Sequence, residues 1–175
     1  NSTGPAHPAV AAAIAAQAQR FIHAQVNVYQ HDLLEPLAAK LAEITPGGID
    51  TFFFANSGAE ITEAAVKLAK QVTKRPHIVV FSGSFHGRTH MAMAVTTSQT
   101  GYRAGHAPPP SGVFVATYPH PPAEDQDAEV AKALNGFDHL LTSMDAPDDT
   151  ADCLPAPVVG ESCNSGAHPG AATGA

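Results

Sequence analysis

Phe52 to Lys70 reads FFFANSGAEITEAAVKLAK, and this stretch constrains the chain more than any other. An apolar run, Phe52-Phe53-Phe54, ends abruptly at the small polar turn Asn56-Ser57-Gly58. A helical pattern opens at once, with Ala59, Ala64, Ala65, Val66, Leu68 and Ala69 as its apolar members. A strand feeding a small-residue turn and then a helix is a ready anion cradle. The first helical turn has free N–H groups and a positive dipole end, and small residues let an anion approach closely. The same pattern also describes a helix capped by Asn56 or Ser57 with no ligand. The local pattern alone favours that second reading.

A chain of 175 residues has room for one ordinary domain and a sizeable core. Hydrophobic residues make up 44% and aromatics 6%, which fits a folded, Ala-rich protein and excludes a disordered one. The formal net charge of −7 and the lack of a basic run exclude general nucleic-acid binding. Cys153 and Cys163 have no His or Cys partners at metal-ligand spacing, so no metal site is expected. No apolar stretch approaches the ~18 residues of a membrane span. The apolar run Val10 to Ala16 lacks a basic flank, so no signal peptide is expected and the cytoplasm is the default compartment. The chain opens on Asn1-Ser2-Thr3 and closes on an aperiodic stretch from Gly166 to Ala175, which reads as a piece of a longer protein.

In order, the pattern predicts a helix after Pro8 with Val10, Ile14, Ala18 and Phe21 on one face. Val26 to Tyr29 looks extended. A second helix is expected from about Leu33 to Ile44, stopped by Pro46-Gly47-Gly48. After the Phe52 strand and its helix comes His77-Ile78-Val79-Val80-Phe81, whose continuous apolar character suits a strand buried on both faces. Thr89 to Thr97 is ambiguous, with helix plausible at its centre. Val113 to Val115 is a third strand candidate. Asp127 to Leu134 and Phe137 to Met144 look like two helices. Such an order is that of an α/β domain, in which ligands collect at the carboxyl ends of the strands. Asn56-Ser57-Gly58 and Ser82 to Arg88 both occupy such ends.

Phe85-His86-Gly87-Arg88 puts an aromatic ring, an imidazole, a hinge and a guanidinium within four residues. An aromatic can stack on a flat heterocycle, and Arg can bind a carboxylate bidentately. Against this, a lone Phe more often packs in a core, and an Arg more often sits in a weak surface ion pair. His86 fits a pocket wall, a general base or a plain loop residue, and the sequence leaves all three open. Tyr102 and Arg103 read as a solvated loop. No nucleophile elbow, Walker loop or dinucleotide fingerprint occurs.

From Asn56 to Arg88 the chain resembles the class III aminotransferases, enzymes that use pyridoxal 5′-phosphate (PLP) on the fold type I scaffold. The matching pieces run in order: Thr3-Gly4 and His7-Pro8, Gln25-Val26 and Tyr29, Phe54 to Glu60 with Glu63-Ala64 and Lys67-Leu68-Ala69, then Gly83 to Thr89. The resemblance spans about residues 1 to 145. It implies the PLP-dependent transferase fold type I, here as an incomplete large domain with a mainly parallel sheet and flanking helices. It implies that Ser57, Gly58 and Ala59 cradle the cofactor phosphate, that Phe85 stacks on the pyridine ring and that His86 lines the pocket. It implies that Arg88 grips a substrate carboxylate and that Gln25 and Val26 line the substrate pocket.

The resemblance further implies transfer of an amino group from an ω-amino acid or related amine, of the 4-aminobutyrate or acetylornithine type, to a 2-oxo acid. A homodimer is implied for the full-length protein. The family's Schiff-base lysine falls beyond this chain, so the piece itself is expected to be inactive and to hold no catalytic residue. Where the family carries Glu-Pro-Val-x-Gly-Glu-Gly-Gly, this chain has Ala156-Pro157-Val158-Val159-Gly160-Glu161-Ser162-Cys163. Asp152-Cys153-Leu154-Pro155 lacks the apolar strand that should lead in, and a shifted reading frame near Asp152 would explain the departure. The expected organisation is residues 1–48 as an N-terminal helical segment, 49–150 as a partial PLP-binding domain, and 151–175 as an aberrant or disordered tail. The alternatives are a noncatalytic α/β module holding a phosphorylated metabolite, or another class III PLP enzyme such as an aminomutase.

Overall fold

The computed structural model describes residues 3–106, 108–119 and 125–155, together with the backbone of 158–159 and 165–166. The chain divides into two compact units, Asn1–Phe53 and Phe54–Ala175.

The first unit holds helices α1 (Pro8–Arg20) and α2 (Leu34–Ile44). Pro8 starts α1 where its missing N–H is no loss. The α2 helix ends at Thr45, whose hydroxyl donates to the Leu41 carbonyl at 3.0 Å. Neither helix buries a side chain within the described residues. Val26 to Tyr29 is not extended as expected. The N–H groups of Val28 and Tyr29 both donate to the Gln25 carbonyl, at 3.0 and 2.9 Å, and close a turn. Nor is Phe52-Phe53-Phe54 a strand. A strand needs a ladder partner, none is paired to this run among the described residues, and the Phe53 side chain is 72% exposed.

The second unit begins with α3 (Gly58–Thr73), followed by β1 (His77–Phe81), the short α4 (His90–Ala94) and β2 (Val113–Ala116). Then come α5 (Gln126–Ser143), β3 (Thr150–Leu154) and a two-residue antiparallel pair, β4 (Val158–Val159) with β5 (Ser165–Gly166). The main sheet has the order β2-β1-β3, and both of its pairings are parallel. Ile78, Val79 and Val80 of the central strand are all fully buried, as a strand covered on both faces requires. Ile78 and Val80 join Val66 of α3 and Met91, Ala94 and Val95 on one face. Val79 joins Ala116 and Leu140 of α5 on the other.

Two further expectations are corrected here. The α5 helix is one element, not two, and it runs through Gly136. Its core-facing residues Ala133, Phe137, Leu140 and Leu141 recur at i, i+4, i+7 and i+8 across the glycine. One interior glycine costs only about 1 kcal/mol, less than a face this continuous returns. The second correction concerns Thr150 to Leu154, which forms a strand beside β1 and crosses the boundary expected at residue 151. Ala151 and Leu154 pack on the α3 face while Cys153 packs on the α5 face. Pro155 falls just past the strand, where its missing N–H breaks no ladder bond. The remainder of the expected tail, including Glu161 and Cys163, lies outside the described residues.

Candidate functional site

The start of α3 is closed by a capping box. Ser57 is extended, and its Oγ accepts the Glu60 N–H at 3.3 Å. The Glu60 carboxylate in turn accepts the Asn56 N–H at 2.7 Å. Two N–H groups of the first turn, on Gly58 and Ala59, are left without an intrahelical acceptor. The capping reading and the cradle reading are therefore compatible. Ser57 caps the helix, and the next two residues present their amides.

The loop after β1 is held by hydroxyl groups. Ser84 is fully buried and donates to the Phe81 carbonyl at 2.7 Å, as does Thr97. The buried Thr96 hydroxyl accepts the His86 N–H at 3.0 Å and lies within bonding distance of the Gly87 and Ala92 carbonyls. From α3, the Thr62 hydroxyl lies 3.1 Å from the His86 carbonyl. Gly87 has φ +128°, and a Cβ there would sit 2.6 Å from the Ala59 Cβ. Only glycine lets the loop close onto the first turn of α3.

Together these contacts form a cleft of about 620 Å³, lined by Gly58, Ala59 and Thr62 from α3 and by Phe85 through Thr89 from the loop. His86 Nε2 is buried without a hydrogen-bond partner, and burial lowers the imidazole's pKa below its ordinary value. Burial therefore favours the neutral ring, with one nitrogen left unpaired inside the protein. The Phe85 ring packs at 62° against Tyr102, with centroids 5.0 Å apart. Tyr102 thus belongs to the loop's packing and is not a solvated residue. Arg88 is exposed and pairs with no carboxylate among the described residues.

Of the expected site residues, Gly58, Ala59, Phe85, His86 and Arg88 share this cleft. Ser57 adjoins it as the helix cap. Gln25 lines a cleft of the first unit with Phe21, Tyr29 and Asp32, and Val26 is 55% exposed. Thr62 and Thr96 escaped the sequence reading because their partners are backbone atoms of a distant loop. Among the described residues no group of His, Cys, Asp and Glu could hold a metal, and no helix is long and apolar enough to cross a membrane.

The fold and cleft define an α/β protein in which the capped start of α3 and the Phe85–Thr89 loop line one cleft at the carboxyl end of a parallel sheet. The chain belongs to the class-III aminotransferases, whose family pattern it matches over residues 1–171. That match extends past residue 145, where the resemblance is expected to end. The chain is 38% identical to a probable 4-aminobutyrate aminotransferase of Bacillus subtilis over 168 residues, covering 91% of this chain and 38% of the relative. It is 40% identical to an acetylornithine aminotransferase of Methanothermobacter thermautotrophicus over 161 residues, covering 92% and 36%. The solved taurine:2-oxoglutarate aminotransferase of Bifidobacterium kashiwanohense, in complex with PLP and glutamate, superposes with a TM-score of 0.75 at 26% identity. It is matched over 87% of this chain and 35% of its own. The chain thus spans well under half the length of these relatives.

Proposed function

We propose that the chain is the N-terminal part of a PLP-dependent aminotransferase. The reaction moves an amino group from an ω-amino acid of the 4-aminobutyrate or acetylornithine type to a 2-oxo acid. The observation that carries this reading is the cleft itself, which the first turn of α3 lines together with Phe85, His86 and Arg88 of the loop after β1. Gly58 and Ala59 would bind the cofactor phosphate through N–H groups at the positive end of α3, with Ser57 fixing the turn that aims them. The close Gly87–Ala59 approach keeps that turn and the loop in one rigid unit. Phe85 would support one face of the ring, and His86, held neutral by burial, would offer Nε2 to a polar atom of the ligand. Arg88, exposed at the rim, would grip a substrate carboxylate distant from the reacting amine. Gln25 and Val26 are assigned to the substrate side.

When bound, the cofactor supplies the electron sink that stabilises negative charge on the substrate carbon. None of the lysines, Lys40, Lys67, Lys70, Lys74 and Lys132, lines the cleft. On the family resemblance, the covalent anchor and proton carrier would come from the rest of the protein. A cytoplasmic homodimer is part of the same proposal. The test uses the complete gene product supplied with PLP. A visible absorbance that borohydride removes, and amino transfer from 4-aminobutyrate or acetylornithine to a 2-oxo acid, are expected. A product with no such absorbance contradicts the proposal and favours a noncatalytic module for a phosphorylated metabolite.

A further inference from the structure

We infer that Glu63 is the positioning residue of the cleft, clamping the start of α4 and the loop before it onto α3 in the geometry the ligand requires. The role rests on the function proposed above. Glu63 does not line the cleft, yet its Oε1 accepts three hydrogen bonds from across the fold. They come from the Thr89 hydroxyl at 2.6 Å, the Met91 N–H at 2.8 Å and the Ala92 N–H at 3.2 Å. Thr89 occupies the N-cap position of α4 but makes no capping bond with its side chain. A carboxylate from another helix does that work instead, at the helix end where negative charge is favoured.

The α4 helix is only five residues long, and Met91 to Ala94 are all buried. A helix that short has no stability of its own, so it depends on what holds its first turn. The neighbouring residue on α3, Thr62, binds the His86 carbonyl 3.1 Å away. Adjacent residues of α3 therefore grip both ends of the segment from His86 to Ala92, and Gly87 rests on Ala59 between them. The helix that presents the amides also sets where Phe85, His86 and Arg88 stand.

Burial pushes the Glu63 carboxyl up, but hydrogen bonds from Thr89, Ala92 and Met91, with a smaller contribution from His90, lower its pKa below the ordinary value. The ionisable groups nearest in the fold and on its own helix are His90 on α4 and, four residues along α3, Lys67. Since the folded-state pKa is depressed, the clamp is complete above the carboxyl's unfolded pKa and is lost as pH falls through the folded one.

The test compares the complete gene product with its Glu63→Gln and Glu63→Asp variants. Amide exchange at Met91 and Ala92 is followed against pH, with the β1 amides of Ile78 to Val80 as the reference for global folding. Binding of pyridoxamine 5′-phosphate, which forms no adduct with lysine, is measured alongside. In the wild type, protection of Met91 and Ala92 is expected to persist through the usual carboxylate range and to fall below it. Glu63→Gln should lower that protection about tenfold at pH 7, abolish the pH step, and weaken the ligand about tenfold, as loss of charge-assisted bonds implies. The β1 amides should be unchanged, and Glu63→Asp should restore part of the step. Wild-type binding with unaltered affinity in Glu63→Gln overturns the positioning role, as does equal loss of protection in β1. A complete wild-type gene product that binds no pyridoxamine 5′-phosphate overturns the proposed function itself and, with it, any role of Glu63 toward that ligand.

Discussion

At the amino end of the sheet His77 is fully engaged, while at the carboxyl end His86 is left wanting. His77 Nδ1 lies 2.6 Å from Asp145 Oδ1, and the other oxygen of Asp145 accepts the Thr150 hydroxyl at 2.8 Å. Arg75 adds a bond to the Thr150 carbonyl at 3.2 Å, so α3's exit, β1 and β3 are tied by one network. The Asp145 side chain is completely buried. At the opposite end the hydroxyls of Ser84, Thr96 and Thr97 are spent on loop carbonyls and amides, while the Ser98 hydroxyl is buried without a partner. His86 Nε2 and the Tyr118 hydroxyl remain buried without partners, and burial pushes the Tyr118 phenol up. Buried polar groups are nearly always paired. The fully paired end is read as a stability feature, and the unpaired groups of the other end fit the ligand role proposed for it.

That contrast can be broken experimentally, and the largest effect is expected at the amino end. Asp145→Ala strands the His77 and Thr150 donors and should cost about 3 kcal/mol in urea unfolding, with little added effect on ligand binding. A loss under 1 kcal/mol would mean that the network is not what closes this end. Gly87→Ala comes next. Its φ of +128° and the 2.6 Å approach to Ala59 force the loop off α3, for about 2 kcal/mol of stability. Here pyridoxamine 5′-phosphate affinity should fall as well, so unchanged calorimetric affinity would separate the loop from the site.

Ser57→Ala removes the cap of α3 and should cost about 1 kcal/mol by thermal unfolding. The smallest stability effect is expected for His86→Leu, within about 0.5 kcal/mol of wild type, because an unpartnered nitrogen contributes nothing to lose. Ligand affinity should nevertheless drop. A His86→Leu chain destabilised as much as Asp145→Ala would erase the distinction between the two ends.

The same physical difference governs what could be read from the sequence. The β1 strand was legible because Ile78, Val79 and Val80 form an unbroken apolar run, and the turn Asn56-Ser57-Gly58 before a helical pattern marks a helix start on its own. Strand β3 was hidden by Asp152, whose carboxyl is half-buried and pushed up by burial, and by Pro155, which lies one residue beyond the ladder. The break expected near Gly136 and the strand expected at Phe52 to Phe54 came from weighing local residues without their tertiary partners. At the site, the segments 56–59 and 85–88 carry their chemistry in consecutive residues and could be named. The grips of Thr62, Glu63 and Thr96 act across 9 to 29 residues, and no local pattern encodes such pairings.

The central claim is that the carboxyl-end cleft recognises a phosphate-bearing pyridine through the start of α3. Isothermal titration of the complete gene product with pyridoxamine 5′-phosphate and with pyridoxamine, which differ only in the phosphate, tests it most directly. Binding of the phosphorylated ligand at least about tenfold tighter than its dephosphorylated form, with the difference lost in Gly87→Ala, is the predicted result. Equal affinity for the two ligands, or a preference untouched by Gly87→Ala, would contradict it.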